Sequence, residues 1–226
     1  MKKMKLGVAI PCYKNHIPLL KRCLDSIEAQ TCHPDLVVVH CSSSEENDIP
    51  LFSYTFQLRI ITIPFKLNAA QNRNCAAAVL CDEGCTFLSF FDADDEMHPQ
   101  RLEAIQYAVT QYRETKFIVH SFHIVNENQH PSFIKYDIFD IRYNQLVDLD
   151  HINGIGIQGH PDCIVAHGHV SVSKDVFEAI GFPEALYFSK EGEMGGIEDS
   201  IFCRNAIRME GCKTVYLTDQ LSKYYC

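Results

Sequence analysis

No stretch of this 226-residue sequence approaches the ~18 consecutive apolar residues that suggest a membrane-spanning helix, so no integral membrane segment is expected. The basic start MKKMKLGVAIP has an apolar part of only Leu6 to Ile10 before Pro11, too short for a signal peptide core, and it reads as a first strand. Basic excess is missing as well. Twenty Lys and Arg face 29 Asp and Glu, a formal net charge of −9, and no basic patch offers the phosphate neutralisation that nucleic acid demands. No nucleic-acid partner is expected. The 11 cysteines form no compact framework, which favours free thiols in a reducing, cytoplasmic setting over a disulfide scaffold. Cys81 and Cys85 form a CxxxC, but no second pair with ligand spacing supports a structural zinc site. Internal repeats and low-complexity segments are absent too. With 46% hydrophobic and 22% charged residues, the chain is composed like a globular protein with one sizeable core.

What is present centres on Phe87 to Arg101, FLSFFDADDEMHPQR. Phe87, Leu88, Phe90 and Phe91 lack polar alternation, as in a strand covered on both faces, and Asp92, Asp94 and Asp95 come where that strand emerges. In an extended backbone Asp92 and Asp94 point the same way. Two carboxylates converging at a strand end suit Mg²⁺ or Mn²⁺, which would complete its shell with phosphates and water. The competing reading is a solvated loop whose acids favour the N-terminus of the helix begun at Pro99.

In chain order, Lys5 to Ile10 reads as a strand and Ile17 to Gln30 as a helix with Asn15 as N-cap and Leu20, Cys23, Leu24 and Ile27 on one stripe. Strands come next at Leu36 to Val39 and Leu58 to Ile63, then a helix from Ala69 to Leu80 capped by Asn68. After the Phe87 strand comes a helix with Leu102, Ile105, Val109 and Tyr112 on one face, then a strand from Phe117 to Phe122. Strands alternating with helices predict an α/β fold with a mostly parallel central sheet flanked by helices. From Asn126 to His167 the pattern weakens, with strands expected near Phe133 to Phe139 and Gln145 to Leu149. A strand near His169 to Val172, a helix from Ser173 to Ile180 stopped by Gly181, a helix from Glu198 to Met209 stopped by Gly211 and a strand from Thr214 to Leu217 complete the reading.

Four motifs in order resemble the family 2 glycosyltransferases of GT-A fold. Val8 to Asn15, VAIPCYKN, is similar to that family's first strand and P-x-Y loop; Asn68 to Ala76, NAAQNRNCA, to its arginine-bearing helix; Asp92-Ala93-Asp94-Asp95 to its D-x-D; and Gly195-Gly196-Ile197-Glu198-Asp199 to its late E-D. The resemblance covers nearly the whole chain and implies one GT-A domain over 1–226, with a nucleotide-binding half (1–125) and an acceptor and catalytic half (126–226). It implies transfer of a sugar from a nucleotide-diphosphate sugar, a UDP-sugar favoured, to a hydroxyl acceptor on a glycan, lipid or protein-linked sugar, with inversion. By the same resemblance, Pro11, Tyr13, Cys41, Arg73, Asp92 and Ala93 bind the nucleotide sugar, Asp94 with Asp92 holds Mn²⁺ or Mg²⁺, Asp199 is the base, and Glu198 holds sugar or acceptor hydroxyls.

The residue types suit those roles. A Tyr13 ring can stack on a base, and Arg73 in the first turns of a helix can grip a phosphate or a neighbouring Asp. Glu198 and Asp199 would equally start their helix favourably, and Arg204 lies within reach of them. Two departures stand out. His40-Cys41-Ser42-Ser43 occupies the place of the family's adjacent aspartates, and no histidine comes after His169, which leaves His160, His167 and His169 as the supply for a third metal ligand, with Gly168 between two of them. Three other readings predict differently. A nucleotidyltransferase would release pyrophosphate without needing Asp199, a binding module would hold donor and metal without turnover, and a His and Cys zinc protein would lose its fold on chelation.

Overall fold

The computed structural model describes residues 4–126, 131–143, 146–148, 155–157, 160–184 and 198–225. The chain runs β1 (Leu6–Tyr13), α1 (Ile17–Glu28), β2 (Leu36–Ser42), β3 (Leu58–Ile63), α2 (Ala69–Asp82), β4 (Phe87–Phe90), β5 (Glu96–Met97), α3 (Arg101–Gln111) and β6 (Thr115–Val125). It continues with β7 (Ile141–Tyr143), β8 (Leu146–Asp148), β9 (Ile155–Ile157), β10 (His160–Ile164), β11 (Ser171–Ser173), α4 (Lys174–Ile180), α5 (Glu198–Arg208) and β12 (Lys213–Tyr225). The main sheet has the order β3-β2-β1-β4-β11-β6-β12-β5, with β7 also on β12, while β10-β9-β8 makes a small antiparallel sheet.

The continuous apolar runs of β1, β2 and β4 are buried along almost their whole length, because both sheet faces are covered. On one face α1 lays down Leu20, Cys23, Leu24 and Ile27, and α3 adds Leu102 and Ile105. On the other, α2 contributes Ala76, Ala77 and Leu80, and α5 contributes Phe202, Cys203 and Ala206. The small residues of α2 allow close approach. A Cβ on Gly7 of β1 would sit 2.7 Å from Leu80 Cδ2, so glycine there is a packing requirement. Ladders β1–β2, β2–β3, β1–β4 and β6–β12 are parallel, and β11 is inserted antiparallel between β4 and β6. This mixed sheet flanked by helices, parallel through β3-β2-β1-β4, is the α/β architecture expected. Among the described residues no helix is long and apolar enough to cross a membrane.

Several boundaries differ from expectation. Asn15 does not cap α1, since Lys14–His16 forms a 3-10 turn and His16 takes the cap position ahead of Pro18. Residues 131–140 form no strand. Their aromatics pack on helix and loop neighbours instead, Phe133 and Tyr136 on His98 and Phe139 on Tyr107. The Tyr136 backbone is satisfied on both sides by the Gln100 side chain, so no ladder is needed. Tyr112 leaves the α3 core face and stacks on Tyr143. His169 lies in a 3-10 turn (His167–His169), and the strand begins only at Ser171. The last strand does not stop at Leu217. Register shifts between Leu217 and Lys223 let β12 bend past its polar residues and continue to Tyr225.

Candidate active site

β1 and β4 pair side by side, and the loops that leave them face one groove of about 400 Å³. Its walls include Pro11, Cys12 and Tyr13 from β1, His16 after it, Lys66 to Ala69 at the start of α2, Asn72 and Arg73 within α2, Asp92 to Asp94 after β4, and Tyr224 of β12. Five of the six residues expected to bind nucleotide sugar therefore share this groove, as does the expected metal ligand Asp94. Cys41 does not line it. That thiol is fully buried beside Cys12, its register partner on the neighbouring strand. His40 is committed too, with Nδ1 2.8 Å from Asn72 Oδ1, while the Asn72 amide donates to Ser42 Oγ. Asn72 was missed from sequence because its partners lie about thirty residues away on another element.

The N-terminus of α2 opens onto the groove, its end closed by a capping box between Asn68 and Gln71. One turn in, buried Arg73 donates through Nη2 to Asp92 Oδ1 and through Nη1 to Glu198 Oε1, each at 2.8 Å. Burial works against its charge, but Asp92, Asp199 and Glu198 outweigh that and raise its pKa. Burial likewise works to raise the pKa of Asp92, yet Arg73 holds it below the usual carboxylate range. Asp94 goes the other way, pushed up by burial and by its neighbours Asp95 and Asp92.

Glu198 and Asp199 sit in the first turn of α5. The Asp199 pKa is pushed up to about 6 by burial, with Arg73 opposing and Glu198 and Asp92 adding to the rise. Asp199 Oδ1 accepts from the Ser200 amide at 2.6 Å, and Ser200 Oγ lies 3.2 Å from His167 Nδ1. Burial and Arg204 bring the His167 pKa down to about 4, so it is neutral at pH 7. Gly195, Gly196 and Ile197 lie outside the described residues, as does the side chain of His160.

One group of three metal-ligating side chains comes together among the described residues: Asp92, Asp95 and His169, with ligand atoms within 4.8 Å of one another. His169 Nε2 is 2.8 Å from Asp95 Oδ2 and 3.8 Å from Asp92 Oδ2. The 2.8 Å contact lacks hydrogen-bond alignment, and both atoms are buried with no hydrogen-bond partner. An Asp95 oxygen and a His169 nitrogen with orphaned lone pairs, together with the Asp92 carboxylate, fit a divalent cation. Ser222 Oγ sits 2.9 Å from His169 Nδ1; with that nitrogen donating, Nε2 keeps its lone pair. Cys81 and Cys85 join no such group.

The end of β12 wraps this acidic loop. The Tyr225 amide donates to Asp95 Oδ1 at 2.8 Å, its hydroxyl donates to Glu96 Oε2 at 2.8 Å, and Arg22, which donates to the Asp94 carbonyl, stacks 3.6 Å over the Tyr225 ring. Nothing local in the sequence signals these contacts, every one of which joins positions 72 or more apart.

Residues 7–176 match the sequence model described as glycosyl transferase family 2. The chain belongs to glycosyl transferase family 2. Its fold is the GT-A fold, and S. aureus TarS 1-349 in complex with UDP is a similar solved structure, with a TM-score of 0.64 and 15% identity over 99% of this chain and 61% of that one. TarS 1-349 in complex with UDP-GlcNAc gives 0.62 and 15% over 99% and 59%. The chain thus spans about three-fifths of TarS 1-349, and at such identity the likeness is one of fold. No curated protein matches the sequence.

Proposed function

We propose that this chain transfers a sugar from a nucleoside-diphosphate sugar, a UDP-sugar being favoured, to a hydroxyl of a glycan, lipid or protein-linked acceptor, with inversion and with help from Mn²⁺ or Mg²⁺. The observation that carries this reading is the Arg73 bridge. One buried guanidinium joins Asp92, on the groove, to Glu198, whose neighbour Asp199 has its pKa pushed up to about 6. An acid tuned toward neutral pH, next to a Glu198 that Arg73 ties to the groove wall, suits general base catalysis.

In this reaction Asp199 takes the proton of the acceptor hydroxyl as its oxygen bonds to the anomeric carbon. The bond from that carbon to the diphosphate oxygen breaks, and the nucleoside diphosphate leaves. Attack in line with the leaving group inverts the centre. Tyr13 offers a ring for the base, the α2 N-terminus offers the positive end of a helix dipole, and Arg73 orients Asp92 and Glu198. Asp92 with Asp94, or Asp92 with Asp95 and His169, would hold the cation, which when bound neutralises charge on the leaving diphosphate. The preference for uridine is supported by the UDP and UDP-GlcNAc bound to TarS. A cytoplasmic setting is supported by the 11 cysteines without a framework.

The test is nucleotide release from a panel of UDP-, GDP-, dTDP- and CMP-sugars with Mn²⁺ or EDTA, comparing wild type, Asp94→Asn and Asp199→Asn. Metal-dependent release from one donor, lost in the folded Asp199→Asn variant, is expected. If no donor is turned over and calorimetry detects no donor binding, the reading fails.

A further inference from the structure

Arg101, the first residue of α3, is fully buried, and among the described residues its hydrogen bonds reach no carboxylate. Burial pushes its pKa down to about 9. A buried cation without an acid partner is an expensive group to keep, so what it holds is informative.

Its contacts converge on the ground beneath the acidic cluster. Nη2 donates to the carbonyls of His169 at 2.7 Å and Phe90 at 3.2 Å; Nη1 donates to Ser89 Oγ at 2.7 Å; Nε donates to His120 Nε2 at 2.9 Å. The guanidinium carbon is 5.1 Å from the centroid of the Phe91 ring, on which the His169 ring stacks at 4.3 Å. Asp92 and Asp95 come from the loop after β4, whereas His169 comes from the turn before β11. One planar fork therefore ties the last residue of β4 to the backbone of His169.

We propose that Arg101 is a positioning residue for the Asp92, Asp95 and His169 cluster, setting the spacing from which those side chains hold a divalent cation. This rests on the metal-assisted reading above. Arg101 touches neither substrate nor metal and acts through the two backbone segments that carry the ligands. A lysine at 101 keeps the charge but has a single ammonium in place of the fork, and a glutamine keeps hydrogen-bonding capacity without the charge or the reach.

The experiment is calorimetric titration of Mn²⁺ into wild type, Arg101→Lys, Arg101→Gln and Leu80→Ala, each checked for fold by circular dichroism below its melting temperature. Leu80→Ala removes a fully buried side chain of α2 and controls for general loss of stability. Affinity is expected to fall about tenfold or more in Arg101→Gln and by a smaller factor in Arg101→Lys, the scale of losing a group that supports metal ligands, and to stay within about twofold in Leu80→Ala. Folded Arg101 variants that bind Mn²⁺ like wild type overturn the proposal and leave the metal-assisted reading standing. A wild type that binds no Mn²⁺ overturns both. Equal loss in Leu80→Ala, or failure of both Arg101 variants to fold, assigns Arg101 to the core and overturns the proposal as well.

Discussion

Arg73 and Glu198, 125 positions apart in sequence, are joined by a 2.8 Å charge-assisted hydrogen bond, and the same guanidinium holds Asp92. The α2 helix that lines the groove therefore fixes both the acidic loop and the start of α5. Replacing Arg73 with Gln leaves two partly buried carboxylates facing each other without a cation. Breaking a buried ion pair in this way typically costs about 3 kcal/mol or more. Urea unfolding is expected to show a loss of that order, and nucleotide release to fall by far more than the stability change explains. Arg73→Lys should recover part of the stability and little of the turnover, because one ammonium cannot span both acids.

Asp199 sets the expected pH profile. Turnover that needs its carboxylate rises with pH through about 6 and levels off above, so at pH 5 it should be about tenfold below the plateau. The effect on folding has the opposite sense. A carboxyl whose folded pKa is raised above its unfolded value contributes stability in full below pH ~4, and that contribution is lost as pH rises through about 6. Asp199→Asn should thus abolish the acidic limb and most turnover, while its melting temperature at pH 8 stays equal to or above that of wild type. A marked drop in melting temperature at pH 8 would argue that Asp199 serves the fold.

Legibility in the sequence tracks the range of the interactions. The β1, β2 and β4 runs, the Asn68 cap and the Gly181 stop, where φ is +52°, are local signals, and each element stands where expected. Arg73, Asp92, Asp94 and Tyr13 are named through the motifs that resemble the family, each of which falls within or just beyond such an element. Contacts made by folding were hidden. The hold of Tyr225 on Asp95, the place of Ser222 behind His169 and the capture of His40 by Asn72 join residues on separate elements with no periodicity between them. The segment at 131–140 misled for a related reason, since its aromatics satisfy a strand pattern while Gln100 supplies the hydrogen bonds that a neighbouring strand would have made.

Gly168 is tight against the site. A Cβ there would run into Asp92 Oδ2 and lie 3.1 Å from Arg73 Nη2, so the constraint is steric crowding by the pair. Gly168→Ala should push the Asp92 carboxylate off Arg73. The expected result is at least a tenfold drop in turnover, from a sub-ångström to ångström displacement, with a stability loss of about 1–3 kcal/mol. Gly181→Ala, strained by its positive φ but with nearest side-chain atom Asn74 Oδ1 at 3.7 Å, serves as the comparison and should lose stability without a matching loss of turnover.

Asp94 and Asp95 offer two different ways to complete the proposed cation site, and their surroundings separate them. Asp94 lines the groove and has a raised pKa, so its carboxylate stands to gain from a nearby positive charge. Asp95 is buried, with one oxygen fixed by the Tyr225 amide and the other facing His169. If Asp95 and His169 form the inner part of the site, Asp95→Asn and His169→Gln should each weaken Mn²⁺ binding in calorimetry even without donor, and Asp94→Asn should do so mainly when a nucleoside diphosphate is present. The reverse order, with Asp94→Asn abolishing binding of Mn²⁺ alone and His169→Gln leaving it intact, would make the buried pair a support for the loop and Asp94 with Asp92 the metal ligands. Tyr225→Phe gives an internal check. It removes the hydroxyl bond to Glu96 but keeps the amide bond to Asp95, and it should change Mn²⁺ affinity less than Asp95→Asn in the first case.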